Sequence, residues 1–549
     1  MLRKSLLTLF ALLLFAAMLP VYAEEPLWID AGDFEAEAAP REGGALLLET
    51  DENGNDREAA KALLREQLPL VAAGRQDCVW LTFYGDEADI GNYTADVLYY
   101  TLYDYPEALY YFKTGYRYSI RRSASDPHKY QIGIIPKMLA DYNALAYAAA
   151  VDKACVDCFG AVDPANADLS DFEKALLAHD YLDRLCLYDP AVADGVEPAE
   201  ESYTSYGVFV KRVAVCQGYA LAYKVLLDRA GVECCYVKST PINHGWNAVK
   251  IGGSWRHVDV TWDDPGYKGI RDYAGRVEHK QFLLSDADRL AYIQSRDSGT
   301  ASMTAEDLWE SEYGIVCPET VSLPEELTAS VSGVFLRKGK LMMPRHYVRT
   351  NIDGRNYVLD QPARIAFYEP NSDLTVVEIK DVDGMKFGFD AAAYDGEEDV
   401  LYARRISING ASDNGALYAI DPENASAYAF GVVSDDVSRG LALDTTDPYA
   451  KRLYTELNDA RVEEWIAGSG YLAVRTEGGF AVTLTDPAAD GKPLVIAAVD
   501  ENGRVTDTAV TALSDNMPDH FFDHSGKIRL MVFDSIDTFR PSGQKKEMQ

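Results

Sequence analysis

The stretch HGWNAVKIGGSWRHVDVTW, residues 244–262, limits the fold more than any other part of the chain. Strand-like runs flank Gly252-Gly253, a residue pair that takes positive φ without steric cost, so the stretch reads as a β-hairpin with a two-residue turn. With that turn Ile251 faces Ser254, which carries Trp246 opposite Asp259 and His244 opposite Thr261. His244 and Asp259 then share a face as diagonal neighbours, with Cα atoms about 7–8 Å apart and a side-chain hydrogen bond within reach. A register slip of one residue would put them on opposite faces. His257 falls on the face of His244, opposite Ala248, but its offset from Asp259 runs along its own strand.

Upstream, AVCQGYALAYKVLLDRAGV, residues 214–232, sets Cys216 directly ahead of an apolar helical pattern that stops at Gly231, a natural C-cap position. A thiol at a helix N-terminus is biased toward thiolate by the helix dipole and free N–H groups. A histidine beside it strengthens the bias, and a carboxylate holds the imidazole in its working tautomer. Cys216, His244 and Asp259 are therefore the candidate nucleophile, acid–base and orienting residue. The peptide N–H groups around Cys216 and Gln217 are placed to meet a developing oxyanion. Singly, each side chain has a plainer role: a buried small hydrophobe, a partner for a backbone carbonyl, a turn cap. Their order and spacing together point to chemistry.

VCQGYALAYKVLLDRAGVECCYV, NHGWNAVKIGGSWRHVDVTWDDP and KQFLLSD resemble, in this order, the transglutaminase-like superfamily, in the branch common in secreted and surface proteins of Gram-positive bacteria. EKALLAHDYLDRLCLYD resembles the helix that opens the domain there. The resemblance covers about residues 170–290. It implies a papain-like α/β core with Cys216 as nucleophile, His244 as base and acid, and Asp259 as orienter. Tyr206, in SYG at 205–207, and Trp246, in the His-x-Trp-Asn run, are implied as further residues lining the site with Gln217. Gly245 stands where that branch usually has Ala, and Ala214 where it commonly has Gly. Bacterial members of the group are more often peptidases than cross-linkers, so the implied activity is a thiol enzyme acting on peptide or side-chain amides.

Around this core the fold class reads as α+β: a small α/β unit first and β-rich, sandwich-like domains after. Residues 1–23 have the layout of a cleaved signal peptide, two basic residues, an apolar run and a small-x-small ending at Ala23. An exported protein with no membrane-spanning segment in its mature chain is therefore expected, secreted or held at the cell surface. The acidic stretch 24–56 reads as a flexible lead-in. An EF-hand in DENGND fails, because Asp56 and Ala62 stand where the loop needs Gly and Glu. Residues 57–137 alternate helical and strand spacing and close on a tyrosine-rich strand pair. Residues 138–315 hold the catalytic motifs, with Ser170 and Glu173 as a capping box before a helix that carries His179, read as structural. Residues 320–470 are short strands broken by Asp-Gly, Asn-Gly and Gly-Gly turns. Residues 471–541 resemble an immunoglobulin-like sandwich, and 542–549 a loose tail.

The net charge of −35 argues against nucleic acid as a partner, and a protein or peptide substrate, cell-wall peptide included, is what the resemblance implies. Eight cysteines in 549 residues are too sparse for a disulfide scaffold. Cys155-x-x-Cys158 lacks the second ligand pair of a zinc site, which leaves a local disulfide or two free thiols. No cofactor is expected, calcium remaining open. Absence of HExxH, G-x-S-x-G and a phosphate loop removes the common metalloprotease, hydrolase and nucleotide readings. A non-catalytic surface protein using the same fold to bind peptide or glycan is the alternative.

Overall fold

The computed structural model describes residues 28–36, 53–72, 74–107, 116–137, 142–264, 277–309, 315–323, 332–345, 349–352, 355–358, 363–368, 375–379, 388–405, 417–431, 441–444, 451–456, 462–468, 471–476, 479–484, 490–499, 505–512, 514, 527–535 and 540–541. The leader expected at 1–23 and the tail at 542–549 lie outside them. No helix among the described residues is long and apolar enough to cross a membrane. The chain divides into two compact units, residues 1–140 and 141–549.

In the first unit, strands β1 (Trp28–Ala36), β2 (Val79–Tyr84), β3 (Tyr116–Ser123) and β4 (Lys129–Pro136) form an antiparallel sheet in the order β1-β3-β4-β2. Helices α1 (Arg57–Ala72) and α2 (Ile90–Asp104) pack against each other, and α1 lies on β2 and β4. Leu64, Leu68 and Val97 join Val79, Leu81, Ile132 and Ile134 in the core, as the helical and alternating spacings require. Residues 28–36, read from sequence as flexible lead-in, are instead a strand paired with β3 across a bulge at Asp30/Gly32. Acidic composition hid it, because an edge strand is held by the backbone groups of its neighbour rather than by an apolar stripe of its own.

The second unit opens with α3 (Ala144–Phe159), capped by the Asn143 side chain, and α4 (Asp171–Leu185), which starts in the Ser170/Glu173 capping box. Cys155 and Cys158 are buried on α3 and are not joined by a disulfide. Helix α5 (Cys216–Ala230) ends on Gly231 at φ 74°. It packs on a four-stranded antiparallel sheet ordered β8-β7-β6-β5, of β5 (Cys234–Ser239), β6 (His244–Ile251), β7 (Ser254–Val258) and β8 (Phe282–Leu284). The Lys174 ammonium of α4 donates to Ala230 O at 2.9 Å, placing a cation at the negative end of α5. The other face of the sheet meets α6 (Asp286–Arg296): Val237, Trp246, Ala248 and Ile293 share a buried cluster with Leu308 and Trp309. Covered on both sides, β6 is buried from His244 to Val249.

The hairpin register is the one the sequence implies, Ile251 facing Ser254 and Ala248 facing His257, with Gly252 and Gly253 at φ 61° and 84°. The ladder stops at Asn247–Val258, however. The expected pairings of Trp246 with Asp259 and His244 with Thr261 do not form, because Asp259 turns the chain out of the strand and caps the short helix Val260–Asp263.

Beyond residue 332 every described element is a strand. Phe335–Arg337, Lys340–Arg345, Arg364–Tyr368 and Thr375–Glu378 form one sheet, and the four strands from Phe389 to Gly431 form another. A five-stranded sheet runs from Ala442 to Leu484, so the domain boundary expected at 470/471 falls inside it: Gly468 pairs with Tyr471 across a hairpin. Pro493–Val499, Val505–Ala512, Lys527–Ser535 and Arg540–Pro541 make one four-stranded sheet, not the two layers of a sandwich, among the described residues. The architecture as a whole is α+β.

Candidate active site at the head of α5

Val215, extended at φ −96° and ψ 176°, brings the chain into α5 without a side-chain cap. The first intrahelical bond runs from Tyr219 N to Val215 O at 3.1 Å, so the N–H groups of Cys216, Gln217 and Gly218 point out of the helix end. The entry is tight. A Cβ on Gly218 would lie 2.5 Å from Ser202 O and 2.8 Å from the Ala214 Cβ, so only glycine lets the chain approach this closely. Val215 N donates to Ser202 O at 2.9 Å, and the Gln217 amide donates to Tyr203 O at 3.1 Å. These contacts fix Cys216, which is half-buried.

His244, the first residue of β6, and Asp259, the cap beyond β7, meet as expected: His244 Nε2 lies 2.7 Å from Asp259 Oδ2. Nδ1 is left as the ring nitrogen for the thiol. Asp259 also accepts from Trp262 N at 3.1 Å through Oδ1, so it is both turn cap and partner of His244. The imidazole lies flat on Trp262, ring centres 4.4 Å apart and planes 9° from parallel. Electrostatics match this geometry. Burial opposes ionisation of Cys216, but the charge of His244, its hydrogen bond and the backbone N–H of Gly245 outweigh it and bring the thiol below its usual range. Burial likewise opposes a charged His244, yet Asp259 and the Cys216 thiolate lift it to about 9. Asp259, despite burial, is drawn down to about 2 by His244 and Arg289. Burial raises Cys78, Cys158, Cys186, Cys234 and Cys317 instead.

Arg289 of α6 is the residue that sequence reasoning missed. It is fully buried and donates from Nη2 to Asp259 Oδ2 at 2.6 Å and from Nη1 to Gln281 Oε1 at 2.5 Å. Its guanidinium carbon sits 4.4 Å from the Trp246 ring centre and 4.3 Å from that of Trp262, held between the two indoles. Its only trace in the sequence is its place on the face of α6 that also carries Ile293, where burial of a charge requires a partner.

The other candidates are placed differently. Trp246 is buried, donating from Nε1 to His257 Nδ1 at 3.0 Å, and its ring lies against both Arg289 and the His244 imidazole, 5.8 Å from the latter between ring centres. Tyr206 is buried among Tyr142 and Tyr147, with ring centres 5.1 and 6.1 Å away. Gln217 anchors the helix entry through its side chain and offers only its N–H to the site. His257 faces Asp286, its Nε2 2.9 Å from Oδ1, and burial lowers its pKa, so it stands as a neutral structural histidine. His179 is fully buried between Asp180 and Asp263.

No family model matches this chain, and no curated protein matches it. A solved structure described as "Crystal structure of a TGase" is similar over 26% of this chain and 43% of that one, at 14% identity and a TM-score of 0.19. The similarity thus spans less than half the length of that protein.

Proposed function

We propose that this chain is an exported thiol enzyme of transglutaminase-like, papain-like design that cleaves peptide or side-chain amide bonds through an acyl-enzyme. The observation that carries the reading is the union of three groups from separate elements. Cys216 stands at the head of α5 with its thiol lowered, and a buried His244 is bound through Nε2 to Asp259 at 2.7 Å. The Cys216 thiolate attacks the amide carbonyl carbon, and the oxygen takes up charge facing the N–H groups at the helix head. His244 passes its Nδ1 proton to the leaving nitrogen as the C–N bond breaks, giving a thioester and an amine or ammonia. The neutral imidazole then takes a proton from water, whose oxygen attacks the thioester, and thiolate and imidazolium return. Asp259 stays ionised throughout and Arg289 balances its charge. Hydrolysis is placed ahead of amine transfer on the resemblance of the motifs.

The test is a peptide library incubated in ¹⁸O-labelled water, with and without a primary alkylamine, for wild type and Cys216→Ala. One ¹⁸O atom in new carboxyl groups, made by wild type alone, supports the hydrolase. Products carrying the alkylamine mass identify a cross-linking enzyme instead. No product from either protein leaves a binding protein and sinks the proposal.

A further inference from the structure

Two clusters outside the triad bring metal-ligating atoms together, His257–Asp286–Cys317 and His179–Asp180–His279. Proton bookkeeping separates them. In the first, Trp246 Nε1–H can only donate, so His257 Nδ1 must be the acceptor at 3.0 Å and the ring proton sits on Nε2, toward Asp286 at 2.9 Å. A metal on Nε2 would leave that ring with a lone pair demanded at both nitrogens, which a neutral imidazole lacks. That cluster is a hydrogen-bonded relay and no metal site.

The second passes the same examination. His179 Nδ1 and His279 Nε2 each lie 2.8 Å from the same oxygen, Asp180 Oδ1, though His279 comes from a segment 99 residues away. The outer atoms are set to orient the groups that would ligate. His179 Nε2 faces Asp263 Oδ2 at 3.2 Å, and that carboxylate is fixed by Gln281 N at 2.9 and 3.0 Å. Asp180 Oδ2 accepts from Val334 N at 2.7 Å. With Nδ1 ligating, His179 would carry its proton on Nε2 and give it to Asp263, the carboxylate–histidine–metal arrangement that orients a ligating imidazole.

We propose that His179 Nδ1, Asp180 Oδ1 and His279 Nε2 bind one divalent transition-metal ion of the zinc type, leaving a fourth position for water. Two imidazoles and a carboxylate suit zinc rather than calcium or magnesium. Each ring nitrogen, now 2.8 Å from Asp180 Oδ1, needs to part from that oxygen only to the separation of about 3.3 Å that tetrahedral bonds of about 2.05 Å impose. The ion would join α4 to the segment before β8. It would also brace, through Asp263 and Gln281, the Arg289 that holds Asp259.

The experiment is titration of chelator-treated, full-length Cys216→Ala protein with Zn²⁺ by calorimetry and with Co²⁺ by visible absorption; removing that thiol keeps the Cys216–His244 pair from contributing. One equivalent is expected to bind, with the four-coordinate cobalt spectrum and a raised Tm. Asp263→Asn should weaken binding about 10–100-fold, and His257→Gln should leave it unchanged. Because His279→Ala can disturb folding, His279→Cys serves as the second variant, and its cobalt complex should gain a thiolate charge-transfer band. Absence of saturable binding, or a cobalt spectrum identical with and without His279→Cys, would overturn the proposal. The readout is independent of amide cleavage, so its failure and that of the proposed function are distinguishable.

Discussion

Asp259 divides its oxygens between two tasks, Oδ1 capping Trp262 N and Oδ2 holding both His244 and Arg289. Asp259→Asn keeps an oxygen for the cap but cannot satisfy two donors at the other end. It should lower acylation by about 10²–10⁴-fold, measured as single-turnover thioester formation, and it should also destabilise the fold, because Arg289 is left buried without its carboxylate. Arg289→Met removes the positive partner of a buried carboxylate and should cost about 3–5 kcal/mol in denaturant unfolding. The pH dependence follows from the shifts. Asp259 is depressed to about 2, so its contribution is present above its ordinary value near 4 and is lost as pH falls through about 2. His244 is raised to about 9, so its contribution is complete below about 6.5 and is lost as pH rises through about 9. Stability from the pair should be flat between about pH 4 and 6.5, and kcat/KM should fall on an alkaline limb near 9. A limb near 6.5 would mean that the imidazolium is not held by Asp259.

At the scale of elements, the helix that bears the nucleophile was readable because its signals are local: an apolar 3.6-residue repeat, Gly231 past its end, and a hairpin whose turn sets its own register. The capping box at Ser170 and Glu173 belongs to the same class. Asp259 and His244 meet for a reason only half contained in that register, since the ladder ends one residue before Asp259 and a cap completes the contact. Arg289 was out of reach of any spacing argument. Its partners Asp259, Gln281, Trp246 and Trp262 come together only once α6 packs on the sheet, and no local pattern encodes that meeting. Close approach is likewise a tertiary fact. Gly218→Ala should cost about 1–3 kcal/mol, because the atom it strikes is the Ser202 carbonyl and not the end of a flexible side chain. The check is a lower denaturation midpoint with an unchanged m-value.

Across the whole molecule, composition told of strands in the C-terminal half but not of their grouping, because Gly-Gly and Asp-Gly turns mark hairpins and are silent about which hairpins share a sheet. The five-stranded sheet crossing 470/471 shows the gap, and β1 shows it again for an edge strand of acidic composition. Within the second unit the β-rich half is tied to the helices through Arg184 of α4, which donates to Ser332 O at 2.9 Å and Val334 O at 3.1 Å and lies 4.2 Å from the Phe335 ring centre. Arg184→Ala should cost about 2–3 kcal/mol locally. Amide exchange of residues 332–337 should accelerate accordingly, while the strands from Lys451 onward keep their protection.

The central claim, that Cys216 is a thiolate paired with an imidazolium held by Asp259, is tested most directly by the pH dependence of iodoacetamide labelling at each cysteine, read by peptide mass spectrometry in wild type and His244→Ala. Cys216 should label rapidly well below the ordinary thiol value of about 8.5, the five thiols raised by burial should stay slow, and His244→Ala should return Cys216 to an ordinary profile. Slow labelling of Cys216 with an ordinary profile in both proteins would contradict the account.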